Sequence, residues 1–121
     1  GQDSSDSMAI IPIKRGYVST SGAYEKNFYS EGKFYHHILD PKTGYPSKSD
    51  LASVTVWSDS GLLSDLLSTA CFVLGKNNSL ELLKYYNASA VFIDNDKKVF
   101  VTDGLKDNVI ITNQEYVINQ W

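Results

Sequence analysis

Leu51-Ala52-Ser53-Val54-Thr55-Val56-Trp57-Ser58 is followed, after Asp59-Ser60, by Gly61-Leu62-Leu63-Ser64-Asp65-Leu66-Leu67-Ser68-Thr69-Ala70-Cys71-Phe72-Val73-Leu74 and then Gly75. The first stretch alternates with Val and Thr and is the clearest strand signal in the chain. Ser58 to Ser60 supplies side chains that can cap a helix, and Gly75 offers a stop. Between them, apolar residues recur at helical spacing, with Leu63, Leu66, Leu67, Ala70 and Leu74 on one stripe. A strand thus passes directly into a helix of the stretch 61–74.

Outward from this unit the same signals repeat. Met8 to Lys14 reads as a strand in which Pro12 marks an edge or a bulge. Tyr17 to Gly22 is a short strand that runs into a small polar loop. Glu25 to Ser30 and Lys33 to Ile38, with Glu31-Gly32 between them, form a β-hairpin. Downstream, Asn77-Asn78-Ser79 caps a second helix, Leu80 to Tyr86. Ala88 to Ile93 and Lys98 to Thr102 make another hairpin, and Asn108 to Thr112 makes a last strand. Strands before and after two adjacent helices predict an α+β fold with a mostly antiparallel sheet.

The length of 121 residues suits one domain with a real core. A net charge of −3 gives no electrostatic case for nucleic acid. Any anionic ligand would need a local site or a metal. The single cysteine, Cys71, excludes an internal disulfide and leaves the compartment open. No apolar run approaches the roughly 18 residues of a membrane span. The chain opens on Gly1-Gln2-Asp3 without an initiator methionine, which reads as an excised or processed segment with targeting signals outside it.

Two places concentrate polar chemistry. Tyr35-His36-His37-Ile38-Leu39-Asp40-Pro41-Lys42-Thr43-Gly44-Tyr45-Pro46 sets imidazoles, a carboxylate and a lysine among residues that restrict the backbone. A Pro/Gly turn with polar side chains facing water explains the same residues. On the helix, Asp65 and Thr69 lie one turn apart, on a face that also bears Leu62, Phe72 and Val73 and is therefore expected to be partly covered. A hard cation with oxygen ligands would satisfy both groups. Equally, Asp65 could pair with a lysine while Thr69 bonds back to a carbonyl of its own helix.

The two places together resemble one family. The run from His37 to Pro46 is similar to the H-I-x-D-P-x-T-G-x-P signature of ApbE-type flavin transferases. Thr20-Ser21-Gly22 with Tyr24 resembles that family's T-S-G-x-Y segment. Ser53-Val54-Thr55-Val56 and Asp65-Leu66-Leu67-Ser68-Thr69 resemble its S-V-T-V strand and D-A-L-S-T helix, in the same order and at matching spacing.

The resemblance implies a Mg²⁺-dependent FAD:protein FMN transferase. Such an enzyme splits FAD, attaches FMN to a threonine or serine of an acceptor protein and releases AMP. It implies Asp65 and Thr69 as metal ligands and His37 as the catalytic histidine. Thr20, Ser21, Gly22, His37 and Leu39 become contacts of the flavin nucleotide. His36, beside the signature histidine, reads as a solvated strand residue, and Cys71 as a small core residue.

Family members are considerably longer. The chain is therefore expected to be a single domain, residues 1–121, forming the C-terminal part of a longer protein whose N-terminal half completes the FAD pocket. The implied acceptor is a flavoprotein subunit of a redox complex. The implied location is extracytoplasmic, either periplasmic or as a membrane-anchored lipoprotein. Two other functions remain open on the same residues: an FAD pyrophosphatase that gives FMN and AMP, and a non-catalytic flavin-binding half-domain.

Overall fold

The computed structural model describes residues 7–13, 16–22, 25–30, 33–39, 51–105, 110–111 and 117–119, with side chains for 16–22, 35, 51–104 and 117–119. Strands β1 (Ser7–Ile13), β2 (Tyr17–Ser21), β3 (Glu25–Ser30), β4 (Lys33–Leu39) and β5 (Leu51–Ser58) precede helices α1 (Gly61–Leu74) and α2 (Lys76–Tyr85). Strands β6 (Ser89–Asp94), β7 (Lys98–Val101), β8 (Ile110–Ile111) and β9 (Val117–Ile118) follow. The α+β class holds, but the strands form two sheets. One runs in the order β3-β4-β1-β8 and the other in the order β2-β5-β6-β7-β9. Every pairing is antiparallel except β7 with β9.

Both expected hairpins form, β3 with β4 and β6 with β7. Strand β1 lies between β4 and β8; among the described residues its pairing with β8 involves Ala9 and Ile10, and Pro12 pairs with Tyr35 of β4. The irregularity in β1 falls instead between Ser7 and Ala9. Asp103–Leu105 is a 3₁₀ turn.

The five-stranded sheet positions the candidate site. Its β5 is buried on both faces, a pattern of covered strands rather than of a half-exposed one. Val54, Val56, Ala90, Phe92 and Phe100 form a core with Leu67 and Cys71 of α1 and Leu83 of α2. The opposite face, carrying Ser53, Thr55, Val91, Ile93, Val99 and Val101, is buried as well.

Helix α1 has the expected bounds. The Ser60 side chain accepts a bond from the Leu63 N–H at 3.2 Å, and the chain leaves the helix at Gly75 with φ 87°. Its inward face differs from the expected stripe. Ser64, Leu67, Ser68 and Cys71 are buried, whereas Leu66 and Leu74 are 58% and 44% exposed. The serines are tolerated inside because each hydroxyl is bonded: Ser64 to Ser58 at 2.6 Å and Ser68 to the Asp65 carbonyl at 3.0 Å.

Helix α2 starts earlier than Asn77-Asn78-Ser79 suggested. The Asn78 side chain donates back to the Leu74 carbonyl and Ser79 to the Gly75 carbonyl, so both residues sit within the helix instead of capping it. Among the described residues no helix is long and apolar enough to cross a membrane.

Candidate functional site

Strand β2 lies at the edge of its sheet, paired with β5 so that Ser19 opposes Val56, Thr20 opposes Thr55 and Ser21 opposes Val54. Since Val56 and Val54 belong to the core beneath α1, Ser19 and Ser21 share the face that α1 covers. Strand residues two apart repeat at about 6.7 Å, and helix residues four apart at about 6 Å. The two periods nearly match, so a strand and a helix running side by side can bond rung by rung.

That is what β2 and α1 do. Ser64 Oγ donates to the Tyr17 carbonyl at 2.9 Å. Ser19 Oγ donates to Asp65 Oδ1 at 3.1 Å. Ser21 Oγ lies 2.9 Å from Ser68 Oγ and 3.2 Å from Thr69 Oγ1. Thr69 Oγ1 also donates to the Asp65 carbonyl, at 3.2 Å. The segment around Thr20 and the helix face bearing Asp65 and Thr69, two separate motifs in sequence, are therefore one site.

The back-bond of Thr69 to its own helix is present, and among the described residues Asp65 meets a serine hydroxyl. The face is also more open than its apolar residues suggested. Asp65 and Thr69 are exposed, and Leu62 and Val73 are 71% and 73% exposed, while Phe72 is half-buried. Phe72 packs against the core, but Leu62, Val73 and Asp65 itself stay open, so burial alone does not demand a counter-ion for Asp65.

The donor chemistry still suits a hard cation. A carboxylate and a hydroxyl stand one helical turn apart on one surface, both oxygen donors and each held from β2. Ser21, Ser68 and Thr69 bring one hydroxyl proton each to four contacts, so one contact always lacks a proton and acceptor capacity remains. Among the described residues no three His, Cys, Asp or Glu side chains converge on one point.

Thr20 points the other way, its Oγ1 2.8 Å from Thr55 Oγ1 on the far face of the sheet. Gly22 has φ 101°, and a Cβ there would lie 2.3 Å from the Ala52 carbonyl oxygen and 2.9 Å from the Phe72 ring. Glycine is thus required for the close approach of β2's end to β5. His36, His37 and Leu39 all lie on β4, where His37 pairs with Ile10 and Lys26, and His36 with Ile11 and Asn27. The segment Asp40 to Pro46, including Lys42, lies outside the described residues. Cys71 is fully buried, and burial pushes its thiol pKa up, as expected of a core cysteine.

Sequence reading did not find Ser19 or Ser68. The available signal was the pair Ser19 and Ser21, two apart on a strand and matched in period to Asp65 and Thr69 on a helix. It also missed Ser53, whose buried hydroxyl has no hydrogen-bond partner among the described residues.

Comparison with known proteins gives this geometry its context. The ApbE family's sequence model matches residues 2–93, and the chain belongs to that family. It is 38% identical over 112 residues to an FAD:protein FMN transferase of Treponema pallidum, covering 92% of this chain and 31% of that protein. It is also 38% identical over 94 residues to the protein of the same name from Haemophilus influenzae, covering 78% of this chain and 27% of that one. Among solved structures it resembles the ApbE protein of Thermotoga maritima, with a TM-score of 0.53 and 38% identity over 81% of this chain and 32% of that one. The chain thus spans about a third of the length of these relatives.

Proposed function

We propose that this chain forms part of an enzyme that transfers FMN from FAD to a threonine or serine hydroxyl of an acceptor protein and releases AMP. The acceptor oxygen forms a bond to the phosphorus of the FMN half, the pyrophosphate P–O bond breaks, and AMP leaves with the electron pair. The acceptor's proton passes to a base. The observation that carries this reading is the pair Asp65 and Thr69, one helical turn apart and each bonded from β2, within the segment matched by the family. All seven residues assigned here, Thr20, Ser21, Gly22, His37, Leu39, Asp65 and Thr69, fall inside that segment.

Asp65 and Thr69 would hold Mg²⁺, which supplies charge neutralisation on the phosphates. The part of this chain is to fix those two oxygens from β2 and to offer His37 as the acid or base for the acceptor's proton. Ser21, Gly22 and Leu39, with Thr20 on the opposite face of its sheet, are the further residues this reading assigns to the flavin nucleotide. The acceptor in this reading is a flavoprotein subunit of a redox complex, and the reaction takes place outside the cytoplasm.

A second reading, a flavin-binding piece without turnover of its own, draws on the openness of the site. Asp65 and Thr69 face solvent beside exposed Leu62 and Val73, and the longer relatives have further chain with which to cover them. In the first reading the N-terminal half of a longer protein supplies that cover and completes the FAD pocket.

The test uses protein expressed from the complete gene, incubated with FAD, Mg²⁺ and a threonine-bearing acceptor peptide. Flavin fluorescence retained on the denatured peptide, together with equimolar AMP, supports transfer. Free FMN and AMP without labelled peptide indicate a pyrophosphatase. FAD binding without AMP release indicates the non-catalytic module.

A further inference from the structure

Ser19 lies outside every residue assigned to the site above, yet it makes the one hydrogen bond to the Asp65 carboxylate found among the described residues. We propose that Ser19 is a positioning residue for the metal-binding carboxylate, an inference that rests on the reading of Asp65 and Thr69 as a metal pair.

An aspartate on an open helix face can adopt several rotamers in water, and only some present an oxygen alongside Thr69. Ser19 selects among them from a fixed point. Its backbone is held in β2 opposite Val56, a residue with no exposed surface. The rungs on either side are closed by the Ser64 hydroxyl on the Tyr17 carbonyl at 2.9 Å and by Ser21 against Ser68 at 2.9 Å. A serine pinned above and below has little freedom to follow the carboxylate, so the carboxylate must follow the serine.

The chemistry of the bond fits this role. An ionised carboxylate only accepts, and the hydroxyl donates its single proton to Oδ1 at 3.1 Å. That leaves the rest of the carboxylate's acceptor capacity for a cation. Bonds of this kind, made to a metal ligand and not to the metal, typically change metal affinity by about 10–100-fold when removed. The exposure of Asp65 places Ser19 at the lower end of that range.

The experiment measures Mn²⁺ binding, read by electron paramagnetic resonance of the free aqua ion, in protein expressed from the complete gene. Wild type is compared with Ser19→Ala, Ser19→Thr and Asp65→Ala, and each metal-free variant is also melted. The expected result is a dissociation constant raised about tenfold in Ser19→Ala, restored in Ser19→Thr, with binding lost in Asp65→Ala and melting temperatures unchanged. Wild-type affinity in Ser19→Ala beside lost binding in Asp65→Ala overturns the role of Ser19 and leaves the metal pair standing. Affinity lost in parallel with melting temperature, and not restored by threonine, shows Ser19 to be merely structural and overturns it too. Wild-type binding in Asp65→Ala removes the metal pair itself, and the role of Ser19 falls with it.

Discussion

Ser21 Oγ and Thr69 Oγ1, 48 residues apart in sequence, lie 3.2 Å from one another. This contact closes the last rung between β2 and α1 and joins a strand-end motif to a helix-face motif. The turn of helix bearing Asp65 and Thr69 is therefore held in register by β2, which ends at Ser21 just before Gly22. Substitutions in β2 should act on the helix site as well as on β2 itself.

Gly22→Ala tests how the strand end is seated. The backbone has φ 101°, and the added Cβ would fall 2.3 Å from the Ala52 carbonyl oxygen. Strain of this kind costs about 1–3 kcal/mol, and each kcal/mol lowers a melting temperature by roughly 2–8 °C depending on the size of the unit that unfolds. Thermal unfolding followed by circular dichroism should show a drop of several degrees. An unchanged melting temperature would mean that β2 does not end against β5 in this way.

Ser53→Ala should run in the opposite direction. The Ser53 hydroxyl is fully buried and has no partner among the described residues, so the folded state should carry a desolvation cost of about 1–3 kcal/mol that alanine removes. Denaturant unfolding should find the variant as stable as wild type or more so. A loss beyond about 1 kcal/mol would show that the hydroxyl is bonded in solution.

His37 and His36 are consecutive on β4, and only His37 is in register with the family signature. In protein expressed from the complete gene, His37→Ala should lower the rate of AMP release by roughly a hundredfold or more, the usual cost of losing a general acid or base. His36→Ala should change it little. Equal losses, or a larger loss at His36, would overturn the assignment.

The parts of the fold that the sequence announces are those fixed by local chemistry. Ser60 and Gly75 bound α1 because capping and positive φ are decided within a few residues. The hairpins are legible for the same reason. The division into two sheets is not, because the pairing of β1 with β4 and β8 spans distant parts of the chain. The inward face of α1 was misjudged from hydrophobicity alone: Ser64 and Ser68 are buried because β2, β5 and the helix backbone offer them partners, and no periodicity of apolar residues encodes that. Asp65 and Thr69 were legible as a pair one turn apart, whereas Ser19 was not. Its importance depends on which strand lies beside the helix.

In the proposed function Asp65 serves a metal on the phosphates of FAD. The most direct test of that role is AMP release from FAD as a function of Mg²⁺ concentration, for wild type and Asp65→Ala expressed from the complete gene. Asp65 is exposed, so the variant should keep its melting temperature to within about 2 °C, as surface substitutions generally do. Its turnover should fall by at least about a hundredfold, and the remaining rate should no longer respond to Mg²⁺. A variant that turns over FAD at the wild-type rate with the same Mg²⁺ dependence would contradict the account.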